Sequence, residues 1–392
     1  MEPNYLPIRK NFATLSIHSG KTSEKDANSS IVPPLVSSIN YKVDFTGNLN
    51  DSSQRTYSRK SNPTRDNLEH CLATLEGGKY GVCFSSGIGA LSSLLALLEP
   101  GSHIICSNAI FGGTVQLLVN VAKTFSFTTS FVDIYDLKNL ESAIQSNTSL
   151  IWVEPISNPL LKVADIQSIS KIAKELNILF GVDNTFLTSY FHRPLELGAD
   201  VVSQSLSKYV NGHSDVIMGA IVVNRKDLYD KLKFTQNAMG IIPSPVDCAQ
   251  VLRSLKTLPL RMRQHHLNAM KVAQYLQNHK KVTKVIHPGL PSHPQHNLFK
   301  SQTSGHSGLI AFYIDGDLDQ TKKLLNNFKL ITPTTSLGSV ESIAEIPILM
   351  SQSVVPIEIR GPEVTNNLIR LSVGLEDDDD IIQDLEQALE KL

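Results

Sequence analysis

The 392-residue sequence predicts an α/β protein with a mostly parallel sheet in a large domain, followed by a smaller C-terminal α+β domain. From about residue 64, short apolar runs alternate with segments of helical periodicity, as in parallel strands joined by helices that cover both faces of the sheet. After about residue 250 this alternation stops, and a long amphipathic helix precedes further strand-like runs. We therefore divide the chain into residues 1–60, 61–255 and 256–392.

The first segment, residues 1–60, is rich in Ser, Asn and Pro and shows little periodicity. This composition predicts an extended N-terminal arm, which we expect to contact a neighbouring subunit. The first residues lack the basic and then apolar pattern of a secretory signal, so we expect a cytoplasmic protein.

The large domain is predicted to contain short buried strands at 81–84, 103–106, 130–132, 150–153, 179–182 and 200–203. Apolar residues at helical spacing predict helices at 67–77, 91–98, 115–123, 137–144 and 166–176. In the C-terminal domain we predict a helix at 261–277 with Met262, His266, Met270, Ala273 and Leu276 on its apolar face, a strand at 308–313 and a helix at about 379–391.

Composition excludes several classes of partner. The formal net charge is −1, which gives no field that favours nucleic acid or an anionic membrane. The apolar runs are too short to span a bilayer. The four cysteines form no CxxC pair, so neither a zinc site nor a disulfide framework is predicted.

Lys208 stands in the string Ser-Leu-Ser-Lys-Tyr, residues 205–209, just after a predicted strand. Its amine can form a Schiff base with an aldehyde while Ser205 and Ser207 hold a phosphate. Pyridoxal phosphate (PLP) carries both groups on one ring. Apolar and hydroxylated neighbours would desolvate the lysine, which lowers the pKa of the amine and makes it more nucleophilic.

Two further motifs follow predicted strands upstream. The turn at 85–90, Ser-Ser-Gly-Ile-Gly-Ala, offers backbone N–H groups to a phosphate, although a serine helix cap would look the same. Asp183 could pair with the ring nitrogen of PLP or cap the next turn. Neither motif is specific alone, but their order with Lys208 predicts a PLP enzyme of the aminotransferase-like fold. A dehydrogenase is disfavoured because no GxGxxG follows a strand.

Other polar residues leave alternatives open. Arg370, within an apolar strand, could bind a substrate carboxylate or form an internal salt bridge. The histidines at 287, 293 and 296 lie among prolines and a glycine, which predicts a surface loop rather than a metal site. The acidic run at 376–380 is expected to stabilise the N-terminus of the last helix.

With these motifs the chain resembles the Cys/Met-metabolism family of PLP-dependent trans-sulfuration enzymes over nearly its whole length. The matching strings are residues 57–59, 61–65, 182–186, 205–215, 287–296 and 369–374. The resemblance implies fold type I with a seven-stranded sheet, and a carbon–sulfur lyase that acts on a small sulfur amino acid. Cleavage of cystathionine in cysteine biosynthesis is the leading expectation.

The resemblance also implies roles for individual residues. Lys208 would form the Schiff base and move protons, Asp183 would pair with the ring nitrogen, and Asn158 would contact the ring hydroxyl and the substrate. The phosphate would be held by Gly87, Ile88, Ser205 and Ser207, and from a neighbouring subunit by Tyr57 and Arg59. The active unit would then be at least a dimer, and the family is commonly a tetramer. Arg370 would bind the substrate carboxylate with Ser336 nearby.

Four positions depart from the family pattern. Phe111 stands where family members usually have a tyrosine that stacks on the PLP ring, so the ring remains but the phenolic proton is lost. Thr56, Gln116 and Thr335 replace charged residues of the distal substrate pocket. These changes leave two alternatives to a cystathionine lyase: a lyase that prefers methionine, homocysteine or cysteine, and a weakly active or non-catalytic homologue.

Overall fold

The computed structural model describes residues 5–20, 30–43 and 55–392. A seven-stranded sheet forms the centre of the large domain, in the order β1-β7-β6-β5-β4-β2-β3. Its strands are β1 Tyr80–Phe84, β2 His103–Ser107, β3 Thr128–Val132, β4 Thr148–Val153, β5 Leu179–Asp183, β6 Val201–Ser205 and β7 Gly219–Val223. Strands β2 to β6 run parallel, which confirms the predicted sheet.

Strand β7 is the part of this sheet that sequence periodicity missed. It lies antiparallel between β1 and β6. Its residues, Gly-Ala-Ile-Val-Val, are all buried. Such a run shows no alternation, because both faces of the strand are covered.

Helices cover both faces of the sheet, as predicted. They are α1 Phe12–His18, α2 Pro63–Glu76, α3 Gly87–Leu95, α4 Gly112–Gln116, α5 Leu137–Ala143, α6 Ile166–Glu175, α7 Thr188–Phe191, α8 Lys226–Met239 and α9 Pro245–Leu255. Side chains of one strand alternate between the two resulting cores, since Ile151 packs in one and Trp152 in the other. The predicted helix at 115–123 is instead split into the end of α4, a π turn and a 3₁₀ turn.

The C-terminal part contains a five-stranded sheet in the order β10-β11-β12-β9-β8. Its elements are α10 Leu258–Asn278, β8 Val282–Ile286, α11 His296–Gln302, β9 Leu309–Ile314, α12 Leu318–Asn327, β10 Thr332–Pro333, β11 Ile343–Glu345, α13 Ile357–Arg360, β12 Leu368–Ser372 and α14 Asp378–Glu390. The acidic run starts α14 as expected, with three aspartates in its first turn.

The N-terminal region differs from the fully extended arm that was predicted. Residues 12–18 form α1, and Phe12 is buried, with its ring edge-on to Tyr190. This contact ties the helix to its own chain. Residues 30–43 contain no helix, and Ile31 and Val32 are largely exposed there. Contact of this region with another subunit stays a prediction.

The histidine-rich segment is a loop, as predicted, but only part of it lies on the surface: Pro291, Ser292 and Pro294 are exposed, whereas two of its histidines are buried. His287 is fully buried and His293 nearly so. The ring of His287 meets that of His306 edge-on, with centroids 4.2 Å apart, and His306 stacks on His266 at 3.9 Å. The prolines and the glycine do form a loop here. His287 is buried in it because its ring packs against His306, which in turn contacts His266 on α10.

On α10, the buried face contains His265 rather than His266, which is half-buried. Within the described ranges, no helix has both the length and the apolar composition required to cross a bilayer.

Candidate active site

A cavity of about 490 Å³ lies at the carboxyl ends of β4, β5 and β6. Ligands bind at this edge of open α/β sheets because loops from successive parallel strands converge there. Its walls include many of the residues predicted for the site: Gly87, Ile88, Phe111, Asn158, Asp183, Ser205, Ser207, Lys208, Thr335, Ser336 and Arg370.

Lys208 follows β6 and extends its amine into this cavity. Its Nζ donates a hydrogen bond to the Oγ of Ser336 at 2.5 Å. Burial, followed by the positive charge of Arg370, lowers the pKa of Lys208 to about 8. A lysine with this pKa has a substantial neutral fraction near neutral pH, as an imine-forming amine requires.

Asp183 ends β5 and lies on the wall of the same cavity. Its Oδ1 accepts hydrogen bonds from the backbone N of Thr185 at 3.0 Å and from the Thr185 hydroxyl at 2.5 Å. Burial raises the pKa of Asp183, and the hydrogen bonds from Thr185 partly offset this rise. The aspartate thus caps the next turn and also presents a carboxyl group to the cavity, while its pairing with the ring nitrogen of PLP stays a prediction.

The N-terminus of α3 forms the opposite end of the cavity. Ser86 caps this helix by accepting a hydrogen bond from the N of Gly89 at 2.9 Å. Gly87 approaches β6 so closely that a Cβ there would lie 3.1 Å from the Cβ of Ser205. The N-terminal N–H groups and Ser205 therefore face the same space, where a phosphate is favoured. The hydroxyl of Ser207 already bonds the backbone N of Met218 at 3.0 Å.

Arg370 is buried on β12 and bonded on several sides. Its Nη1 donates to the Oδ1 of Asn158 at 2.9 Å, and its Nη2 donates to the carbonyl of Ser336 at 2.5 Å. Nη1 also lies 3.1 Å from the Oε1 of Glu345, so the internal salt bridge left open by the sequence is present. Its Nε has no partner within the described part of the chain, which leaves a donor for a carboxylate.

Phe111 precedes α4, and its ring is 43% exposed. Gly113 makes room for this ring, because a Cβ at that position would lie 2.5 Å from the ring atom Cε1. The aromatic side chain therefore forms part of the cavity wall without being buried in the core.

Four predicted residues do not line the cavity in this chain: Thr56, Tyr57, Arg59 and Gln116. Tyr57 is 45% exposed, and the Nε of Arg59 donates to Asn237 Oδ1 at 3.2 Å. The guanidinium of Arg59 lies over the Tyr57 ring at 5.7 Å. Their predicted contact with a neighbouring subunit's site remains a prediction, as does a role of Gln116 in substrate binding.

Sequence reasoning missed two buried carboxyl groups at the site, Glu154 and Glu345. Glu154 directly follows β4 and lines the cavity. Glu154 stands at the end of β4 as Asp183 stands at the end of β5. A polar residue at a strand end was therefore the sequence feature that could have identified it. Glu345 pairs with Arg370 across two antiparallel strands, which only the register of β11 and β12 could show.

The residues fit PLP by the chemistry of their donor groups. An amine of lowered pKa, a buried carboxyl group and a helix N-terminus flanked by hydroxyls match the aldehyde, ring nitrogen and phosphate of that molecule. The close approach of Gly87 to Ser205 leaves this end of the cavity shaped by backbone rather than by side chains.

The chain belongs to the family described as Cys/Met metabolism PLP-dependent enzymes, whose profile matches residues 13–390. Its cofactor is pyridoxal phosphate, and its fold is fold type I. It is 46% identical over 387 residues to cystathionine gamma-lyase of Mus musculus, which covers 98% of this chain and 96% of that protein.

Solved structures with the same fold include two differently named enzymes. Cystathionine gamma-lyase of Lactobacillus plantarum, complexed with L-serine, has a TM-score of 0.92 and 38% identity, covering 97% of this chain and 98% of the other. Cystathionine gamma synthase of Xanthomonas oryzae pv. oryzae, in complex with aminoacrylate and cysteine, has a TM-score of 0.93 and 35% identity over the same shares. The fold by itself therefore does not separate lyase from synthase.

Proposed function

We propose that this protein is a PLP-dependent carbon–sulfur lyase that cleaves cystathionine, with water, to cysteine, 2-oxobutanoate and ammonia. The observation that carries the proposal is the joint placement of Lys208, Asp183 and Arg370 around one cavity. The similarity to curated cystathionine gamma-lyases over nearly the full chain supports the choice of substrate.

Each residue has a task that follows from its chemistry. PLP supplies an aldehyde that links to amines and a ring that withdraws electrons from the substrate. Asp183 holds a proton on the ring nitrogen, and Lys208 moves protons at the substrate carbon atoms through its Nζ. Arg370 holds the substrate carboxylate through its unpartnered Nε, with Asn158 and Ser336 fixing the guanidinium.

The assembly is part of this proposal. We infer that Tyr57 and Arg59 complete the phosphate site of a second copy, because both lie outside the cavity of their own chain. The active unit is then at least a dimer, and a tetramer of two such dimers is the expected form. A cytoplasmic location also remains a proposal.

A second candidate is a lyase that prefers a less polar thioether such as methionine. Apolar side chains on the cavity wall favour it, including Ile88, Leu91, Phe111, Ile156, Ile217 and Leu337. Thr335 adds no charge to this wall. These apolar side chains stabilise an apolar chain end better than the charged end of cystathionine.

The test is oxo-acid release by the purified PLP-loaded protein from cystathionine, methionine, homocysteine and cysteine, each measured as kcat/KM. The first proposal predicts the highest value for cystathionine, and the second predicts it for methionine. No oxo acid from any of the four would overturn both and favour the weakly active homologue. A matched Lys208→Ala protein gives the background.

A further inference from the structure

Glu154 is a buried carboxyl group at the active site that the proposed reaction does not use. Only 6% of its surface is exposed, and it lines the cavity with Asp183 and Phe111. Its Oε1 accepts a hydrogen bond from the backbone N of Phe111 at 3.0 Å. Its Oε2 is buried and has no hydrogen-bond partner among the described residues. A buried polar atom without a partner requires a physical reason.

Two side chains form hydrogen bonds with the peptide group that joins Ile110 to Phe111. Gln352 donates to the carbonyl of the preceding residue, Ile110, at 3.3 Å, while Glu154 accepts from the N–H of Phe111 itself. Gly113 leaves the space in which the ring lies. These contacts hold the backbone from which the partly exposed ring of Phe111 extends.

The protonation of Glu154 follows from its neighbours. Burial, and then the nearby charge of Asp183, raises the pKa of Glu154 well above its ordinary range, and the hydrogen bond from Phe111 and the charge of Arg370 offset this rise only in part. Two adjacent buried carboxyl groups cannot both ionise at low cost. Asp183 receives two hydrogen bonds from Thr185 that favour its charged form, whereas Glu154 receives one from a backbone N–H. The arrangement favours a charged Asp183 beside a neutral Glu154.

We propose that Glu154 is a positioning residue of the cofactor site, which acts as a neutral carboxylic acid to hold the backbone of Phe111 and thereby the aromatic ring on the wall of the cofactor cavity. Its neutrality leaves Asp183 as the charged carboxylate for the ring nitrogen. The inference rests on the cofactor site and not on the choice of substrate, so it is tested by PLP binding and can fail independently of the lyase proposal.

The first experiment measures the PLP dissociation constant by quenching of the fluorescence of Trp152, the single tryptophan of the chain, which lies two residues before Glu154. Glu154→Leu leaves the N–H of Phe111 unpaired and should weaken PLP binding about tenfold or more. Glu154→Gln keeps an acceptor and stays neutral, so it should remain within about threefold of wild type. Wild-type affinity in Glu154→Leu, or equal losses in both variants, would overturn the proposal.

A double-mutant cycle shows whether Glu154 acts through Phe111. Because Phe111→Ala removes the ring, adding Glu154→Leu to it should weaken PLP binding by less than about twofold further. Losses that multiply would show independent effects and overturn the positioning role. The control is Glu76→Leu, since Glu76 is also a buried glutamate, has one oxygen without a hydrogen-bond partner in the described ranges, and lies outside the cavity. It should lower the unfolding temperature and leave PLP affinity unchanged.

A pH series on the wild type and Glu154→Gln tests whether Glu154 is neutral, and it requires no destabilising substitution. Ionisation of Glu154 at alkaline pH should change the PLP affinity of the wild type, because a second negative charge then lies beside Asp183. Glu154→Gln cannot ionise and should lose this component of the pH profile. Identical profiles for the two proteins would contradict a neutral Glu154.

Discussion

Ser336 contacts both cationic side chains of the site: its hydroxyl lies 2.5 Å from the Nζ of Lys208, and its carbonyl oxygen lies 2.5 Å from Nη2 of Arg370. The residue has a φ of 87°, in the left-handed region that non-glycine residues rarely adopt. A backbone in this region costs on the order of 1–3 kcal/mol and is retained where the surrounding structure needs it. Here this backbone conformation places the hydroxyl of Ser336 next to Lys208 and its carbonyl oxygen next to Arg370.

We expect Ser336→Ala to lower the pKa of Lys208 below about 8 in the cofactor-free protein, because the ammonium loses an acceptor that stabilises its charge. The measurement is the pH dependence of the rate of PLP capture, followed by absorbance. Ser336→Gly should show the same shift while being more stable to urea than Ser336→Ala by about 1 kcal/mol, since glycine relieves the backbone strain. An unchanged pH profile in both variants would contradict this role of the hydroxyl.

Lys208→Ala should abolish the visible absorbance of lysine-bound PLP and reduce oxo-acid release by at least about a thousandfold, because both covalent attachment and proton transfer are lost. The matched control is Lys162→Ala, whose amine pairs with Glu363 at 3.0 Å outside the cavity. This control should keep the absorbance. A full band in Lys208→Ala would show that another amine holds the cofactor.

Phe111→Tyr should raise kcat for cystathionine by about tenfold or more with little change in KM, because the phenol adds a proton donor and acceptor to an existing aromatic contact. Steady-state kinetics over a range of pH would show the added group as a new ionisation. An unchanged kcat would show that the missing phenol does not lower activity. The control Phe111→Leu removes the aromatic ring and so separates the effect of the ring from that of the phenol.

Arg370→Met should raise KM for any amino-acid substrate about a hundredfold, since the carboxylate loses its charged partner. It should also lower the free energy of unfolding by about 3 kcal/mol, because the buried Glu345 loses its ion pair. The double variant Glu345→Gln/Arg370→Met should recover most of this stability and none of the substrate affinity. If the double variant recovered both stability and substrate affinity, the higher KM of Arg370→Met would result from impaired folding rather than from a lost contact with the substrate.

The buried histidines predict a loss of stability in acid. Burial, and then the charge of His266, lowers the pKa of His287 from 6.5 to about 3. The unfolded ring takes up a proton near pH 6.5 while the folded ring stays neutral, so its contribution to stability is complete above pH 6.5 and declines as the pH falls towards 3. The decline approaches about 1.4 kcal/mol per pH unit for one such ring.

Urea unfolding between about pH 5 and pH 7.5 measures this dependence. His287→Gln does not titrate and should show a shallower decline than the wild type, whereas His70→Gln changes an exposed residue and should not. Parallel curves for the wild type and His287→Gln would contradict the assignment.

Local patterns predicted most of the large domain because its strands are short, apolar and followed by polar turns. The same patterns placed the Gly87 turn after β1, Asp183 at the end of β5 and Lys208 after β6, and strands that run in the same direction bring such ends to one edge of a sheet. They did not predict β7, whose uniform burial leaves no alternation, or the burial of His287, whose sequence neighbours are typical of exposed loops.

Local sequence patterns were sufficient for the alternation of strands and helices in most of the large domain, for the family and for the cofactor, because backbone propensities, strand-end positions and reactive side chains are local properties. Only the tertiary structure decided which groups meet across long separations. The salt bridge of Arg370 with Glu345 depends on strand register, and the hold of Glu154 on Phe111 depends on the packing of a loop over the end of β4. Hydrogen bonds and charge pairs act over a few ångströms, so distance in space and not in sequence determines them.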